Sequence, residues 1–95
     1  MNHFGKKIRE LREKQNLLLR QVAAHLEADT ALMSKIERGE RNASKQQLID
    51  IAKFLKANEE EFLTFWLADK IESTIVEEPK VAYQAMKIAN KKLKK

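Results

Sequence analysis

Apolar residues recur along the chain at intervals of three and four, with charged residues between them. Phe4, Ile8 and Leu11 begin this pattern, which predicts a first helix over residues 3–14. Five further helices are predicted in the same way, over residues 19–26 and 30–38, from Ser44 onward, and over 59–76 and 80–92. The pattern therefore favours an all-α fold, with a five-helix core, a long fifth helix and an extra helix at the C-terminus.

Short polar side chains stand where four of these helices begin, and such residues are the usual N-caps: Asn2, Asp29, Ser44 and Asn58. Ser44 and Gln47 also have the spacing of a capping box. Gly39 follows the third helix, where a left-handed C-cap is favoured.

The composition excludes several classes of protein. With 95 residues, the chain has the length of one small domain, and two Gly and one Pro are too few for an all-β fold rich in turns. The absence of Cys excludes a disulfide framework and a thiolate metal site, and it is compatible with the cytoplasm, where we expect the protein. No apolar run approaches the roughly 20 residues of a membrane span, and no signal peptide is visible.

Basic residues outnumber acidic ones by 19 to 14, giving a net charge of +5. Residues 1–66 hold an excess of only two, and residues 67–95 hold the other three. Part of the excess is a lysine-rich end, Lys91 to Lys95, which we interpret as a solvated tail. The total charge is thus weak support for a polyanionic partner.

The second and third predicted helices are short, and about three residues separate them, so they must cross at a steep angle. Met33 and Ile36 face the core in the third helix, which leaves an outward face of Thr30, Ala31, Ser34 and Lys35. Such a small polar face with one cation is able to enter a DNA major groove and reach base edges.

Residues 17–44 resemble the helix-turn-helix of the phage-repressor-like (Xre-type) DNA-binding family. The strongest part is residues 33–42, MSKIERGERN, which is similar to the family segment I-S-[KR]-[IWL]-E-[RN]-G-x-R. Residues 8–13 fit the first helix of the family, and the resemblance covers about residues 4–65.

The resemblance implies a partner, double-stranded DNA, with the third helix in the major groove. It implies base contacts at Thr30, Ala31, Ser34 and Lys35 and phosphate contacts at Arg20, Arg38, Arg41 and Lys45. Arg12 and Glu37 match a pair that forms a buried salt bridge between the first and third helices in this family.

Four positions depart from the family pattern. Leu18 stands where Ser or Thr usually caps the second helix, and Leu19 where Gln usually contacts DNA. Glu27 replaces the usual Gly of the turn, where a left-handed conformation is easier for Gly, and Ala43 replaces a Pro.

The sequence predicts two parts, a DNA-binding domain over residues 1–66 and a helical extension over residues 67–95. The fifth helix is apolar on several faces, which calls for more than one packing partner. We therefore expect a two-fold dimer through the extension, with these interface residues: Phe65, Trp66, Leu67, Ile71, Ile75, Met86 and Ala89.

The sequence thus favours a transcriptional regulator, a repressor, that binds an inverted repeat as a homodimer. The alternative is a protein-interaction module, for example an antitoxin that neutralises a toxin. An enzyme is not expected, because the chain has no phosphate-binding Gly-rich loop and no nucleophile–base spacing. No cofactor or metal is expected either, since His3 and His25 are far apart in sequence.

Overall fold

The computed structural model describes residues 2–94, and this part of the chain forms helices without any strand. The helices are α1 (His3–Lys14), α2 (Leu19–His25), α3 (Thr30–Arg38), α4 (Lys45–Leu55), α5 (Glu59–Ile75) and α6 (Pro79–Leu93). The predicted all-α fold is confirmed, with boundaries within one residue of the predicted ranges. Within residues 2–94, no helix has the length and apolarity needed to cross a membrane. Met1, where the predicted DNA-binding domain begins, and Lys95, where the predicted extension ends, lie outside the described residues.

Side-chain caps fix where four helices begin. The Asn2 carboxamide accepts a hydrogen bond from the Gly5 N–H, and Asp29 accepts one from Leu32. Ser44 and Gln47 form the reciprocal capping box, and Asn58 accepts from Glu61. These bonds satisfy donors that the first turn of a helix leaves without an intrahelical partner.

The first five helices pack around one apolar core, in which α1 contacts α3, α4 and α5, and α2 contacts α3 and α4. Phe4 and Phe62 meet edge to face at its centre, with 5.4 Å between ring centroids. The other fully buried large side chains are Ile8, Val22, Met33, Ile36, Leu48, Ile51 and Leu55. This core fixes the angle at which α3 presents its outward face.

Gly5 allows α1 to approach the C-terminal end of α3 closely. A β-carbon at this position would overlap the backbone carbonyl oxygen of Glu37 and lie 2.8 Å from the capping oxygen of Asn2. The contact is between backbones, so a larger residue would push α1 and α3 apart.

Asp69, in the middle of α5, holds the N-terminus of α1. Its two carboxylate oxygens accept hydrogen bonds from the N–H groups of His3 and Phe4 at 2.9 and 3.0 Å. One turn later, Glu72 contacts His3 Nε2 at 2.8 Å, and this hydrogen bond raises the pKa of His3. The predicted division after residue 66 therefore falls inside a continuous helix whose second half still contacts α1.

Two residues of the predicted dimer interface are placed within the domain. Trp66 Nε1 donates a hydrogen bond to the Ala43 carbonyl at 2.8 Å, and the Lys70 ammonium lies 3.7 Å from the Trp66 ring centroid. Phe65 stacks on His3, with 6.5 Å between their ring centroids. Both aromatic side chains are half-buried and pack against the core, which anchors α5 before its exposed second half begins.

The other predicted interface residues line or adjoin an open apolar surface. Leu67 and Ile71 are exposed on α5, Met86 is exposed on α6, and Ala89 lies one turn further along α6. No side chain of α6 is buried within the described part of the chain. The helix that the sequence predicted is thus present, but the core of a single chain does not cover it.

Candidate nucleic-acid interface

The turn between α2 and α3 is built from backbone hydrogen bonds. The Ala28 N–H bonds the Ala23 carbonyl at 2.9 Å, and Glu27 adopts a left-handed conformation with φ of 55°. The family pattern has Gly at this position and so predicts the left-handed conformation that Glu27 adopts. Asp29 then begins α3 at once, so the two short helices are held at a fixed angle.

α3 has one buried face and one exposed face. Met33, Ile36 and Glu37 are buried, whereas Thr30, Ala31 and Lys35 are exposed and Ser34 is half-buried. The exposed side chains are small apart from Lys35, so the helix surface is free to approach another molecule closely. This is the outward face that the sequence pattern predicts.

A buried ion pair fixes α3 against α1. Arg12 Nε lies 2.6 Å from Glu37 Oε2, and the two side chains are only 15% and 6% exposed. Arg12 also donates to the Leu17 carbonyl at 2.9 Å, and the hydrogen bond to Glu37 raises the pKa of the guanidinium. The Arg12 guanidinium, on α1, therefore holds α3 through Glu37 and the α1–α2 loop through Leu17.

A second, exposed ion pair joins the last turn of α3 to the loop that follows it. Arg38 Nε lies 2.5 Å from Glu40 Oε2, and Arg38 also donates to Ser34 Oγ. Glu40 raises the pKa of Arg38, mainly through the hydrogen bond, and the same bond lowers the pKa of Glu40. Two predicted DNA contacts, Ser34 and Arg38, are thus held together, and a carboxylate offsets the charge of one of them.

Three further predicted phosphate-binding cations lie on the segments that precede and follow α3 in the chain. Arg20 lies in the first turn of α2, Arg41 in the loop after α3, and Lys45 in the first turn of α4. All three side chains are exposed. Gly39, with φ of 78°, reverses the chain so that the Glu40 and Arg41 N–H groups bond the Lys35 carbonyl, which keeps the loop against the end of α3.

The positions that depart from the family pattern have structural explanations. The Leu18 N–H donates to Gln21 Oε1 at 2.6 Å, so Gln21 supplies half of a capping box where the Leu18 side chain has no acceptor. Leu19 packs against the core, and Ala43 is buried, with its carbonyl accepting the hydrogen bond from Trp66. Sequence reasoning did not identify Gln21, although a Gln three residues after a helix start is the available indication.

His3, Asp69 and Glu72 bring three possible metal-ligating atoms within 4.8 Å of one another. Sequence spacing does not reveal this group, because 66 residues separate His3 from Asp69. Its atoms already form hydrogen bonds, since Asp69 caps α1 and Glu72 pairs with His3. The group therefore serves to hold α5 on α1.

A family model of the helix-turn-helix domain matches residues 3–65. The chain belongs to the helix-turn-helix domain family. No curated protein and no solved structure matches the chain significantly. The helix-turn-helix domain begins with α1 and ends within α5, so it contains the exposed face of α3, the Arg12–Glu37 pair and all the surrounding cations. The second half of α5 and the whole of α6 lie beyond the match.

Proposed function

We propose that the protein is a sequence-specific DNA-binding transcriptional regulator of the phage-repressor-like type. In this proposal, two copies bind an inverted repeat, with α3 of each copy in the major groove, and repress transcription by occupying the promoter. The observation that supports it best is the exposed face of α3 within a helix-turn-helix domain.

Each residue on this face has a proposed role. Lys35 is suited to donate to a guanine edge, while Thr30 and Ala31 are suited to contact a thymine methyl group. The surrounding cations would bind phosphates and set the orientation of α3: Arg20, Arg38, Arg41 and Lys45. A dimer would place two such helices roughly 34 Å apart, which is one turn of DNA.

Salt dependence tests whether phosphate contacts dominate binding. Four phosphate-binding cations in each copy make eight in a dimer, and six to ten such contacts predict an affinity loss of roughly 10³- to 10⁵-fold between 50 and 200 mM salt. The affinity is to be measured on duplex DNA selected from a random pool. An affinity that hardly changes over this range would contradict the proposal and favour a protein-interaction module.

The Arg38–Glu40 pair leads to a prediction about affinity. Glu40→Gln removes the carboxylate that competes with DNA phosphate for Arg38, so the variant is expected to bind DNA roughly 2- to 5-fold more tightly per subunit. The slope of log affinity against log salt should become steeper, because Arg38 gains the freedom to neutralise a phosphate. Fluorescence anisotropy with labelled duplex measures both quantities.

Glu13→Gln is the matched control for this experiment. Glu13 forms a comparable exposed pair with Arg9, at 3.2 Å, but it lies on α1 outside the proposed interface. Its affinity should equal that of the unmodified protein. Equal effects of the two substitutions would show that the gain comes from net charge alone.

A further inference from the structure

The second half of α5 and α6 form the two walls of an open apolar groove. Ile71 and Ile75 lie on the α5 wall, and Met86, Ala89 and Leu93 lie on the α6 wall, around a volume of about 350 Å³. Of the nine large hydrophobic side chains that residues 2–94 expose, eight lie between positions 67 and 93. Concentrated apolar exposure of this kind marks an interaction surface.

α6 is amphipathic, with an apolar side and a lysine-rich side. At 100° per residue, its apolar side chains other than Tyr83 cover an arc of about 160°. The arc consists of Val81, Ala82, Ala85, Met86, Ile88, Ala89 and Leu93. Lys80, Lys87, Lys91 and Lys94 occupy the opposite side. Because Val81 and Ile88 point away from the groove, α5 of the same chain cannot cover the full arc.

Charges are segregated along the length of α6. Glu77 and Glu78 directly precede its first turn, and Lys91, Lys92 and Lys94 lie at its other end. At 100° per residue, Lys92 lies inside the apolar arc, between Val81 and Ala85, and Glu78 is the N-cap residue at the opposite end of the helix. Two-fold symmetric antiparallel packing of the two apolar arcs places the acidic end of each helix beside the lysine-rich end of the other.

We propose that a second copy of this chain covers the groove, with the two α6 helices antiparallel and crossing near Ala85. This inference rests on the homodimer of the proposed function and specifies how it assembles. In this arrangement Glu78 lies beside Lys92 of the partner subunit, and the symmetric pair forms at the other end. Parallel helices would instead place like-charged ends together, which is unfavourable.

The charge pattern also favours a second copy over an anionic membrane. A basic amphipathic helix is able to lie on such a membrane, but the acidic pair at residues 77–78 would then face anionic headgroups. A second copy offers the complementary lysines and a matching apolar arc. The groove thus becomes part of a shared core built from α5 and α6 of both copies.

Disulfide trapping tests the antiparallel arrangement directly, because the chain contains no Cys. A tagged Glu78→Cys variant and an untagged Lys92→Cys variant are mixed, reduced and then oxidised. We expect at least ten times more mixed disulfide than either homodisulfide, whereas random collisions would give twice as much. Lys53→Cys on α4, mixed with either variant, is the control and should yield little cross-linked product.

Three outcomes would overturn the inference. These are a dominant homodisulfide of the Glu78→Cys variant, cross-linking no greater than that of the control, and a monomer that binds vesicles of phosphatidylcholine and phosphatidylserine. Charge reversal provides an independent measurement in sedimentation. Glu78→Lys should weaken self-association roughly 3- to 10-fold, and adding Lys92→Glu to the same chain should restore it.

DNA binding measured on the same samples separates this inference from the proposed function. A dimer that binds DNA but yields homodisulfides overturns the antiparallel arrangement and leaves the regulator intact. A chain that yields the mixed disulfide without binding DNA supports the arrangement and contradicts the proposed function.

Discussion

Arg12→Ala is expected to destabilise the protein by about 3 to 5 kcal/mol, because it leaves the Glu37 carboxylate buried without its partner. The guanidinium also donates to the Leu17 carbonyl, so this substitution removes a contact with the α1–α2 loop as well. A loss of this size is a large fraction of the 5 to 15 kcal/mol that usually stabilises a domain. We expect the melting temperature to fall by more than about 10 °C.

Arg9→Ala is the matched control, because Arg9 lies on the same helix and also pairs with a carboxylate. That pair, with Glu13, is more than half exposed, so its loss should cost less than about 0.5 kcal/mol. Urea unfolding followed by circular dichroism measures the free energies of unfolding. All samples need one chain concentration, since self-association would add to the apparent stability.

A double variant separates the burial of the charge from the packing of the side chains. Arg12→Met combined with Glu37→Leu removes both charges and keeps most of the volume, so it should be more stable than Arg12→Ala alone. If Arg12→Ala costs no more than Arg9→Ala, the Arg12–Glu37 pair does not fix α3 against α1.

Much of the fold follows from local features of the sequence. Asn2, Asp29 and Ser44 predict where three helices begin, because a cap and the donor it satisfies are only three residues apart. Gly39 predicts the end of α3 for a similar local reason. The buried positions follow equally well, since one face of each helix carries the apolar residues.

Contacts between distant segments were not predictable in the same way. The bonds from Asp69 to the start of α1 and from Trp66 to Ala43 depend on the three-dimensional path of α5. The close approach of Gly5 to the Glu37 carbonyl likewise depends on how α1 and α3 pack. A helical pattern predicts which residues face inward, but not which residues they meet.

The candidate interface, too, was predictable only where it depends on the local helical pattern. The exposed face of α3 follows from the positions of Met33 and Ile36, which are buried opposite it. The pairing of Arg38 with Glu40 does not, because it requires the left-handed turn at Gly39 to bring a loop residue back to the helix. The sequence therefore identified the cations but not the carboxylate that competes for one of them.

Lys35→Ala combined with Arg38→Ala is expected to weaken DNA binding by at least about 100-fold. Each subunit loses one base contact, worth about 1 to 3 kcal/mol, and one phosphate contact. The fold should be unaffected, because both side chains are exposed and α3 keeps its buried face. Lys6→Ala combined with Lys53→Ala is the control, since it removes the same charge from exposed positions on α1 and α4.

The most direct test of the proposed function is therefore the dissociation constant of these two double variants for duplex DNA selected by the unmodified protein. We expect a loss of about 100-fold or more for the α3 variant and less than about 10-fold for the control. Equal losses for both variants, or unchanged binding by the α3 variant, would contradict the proposal that α3 contacts DNA.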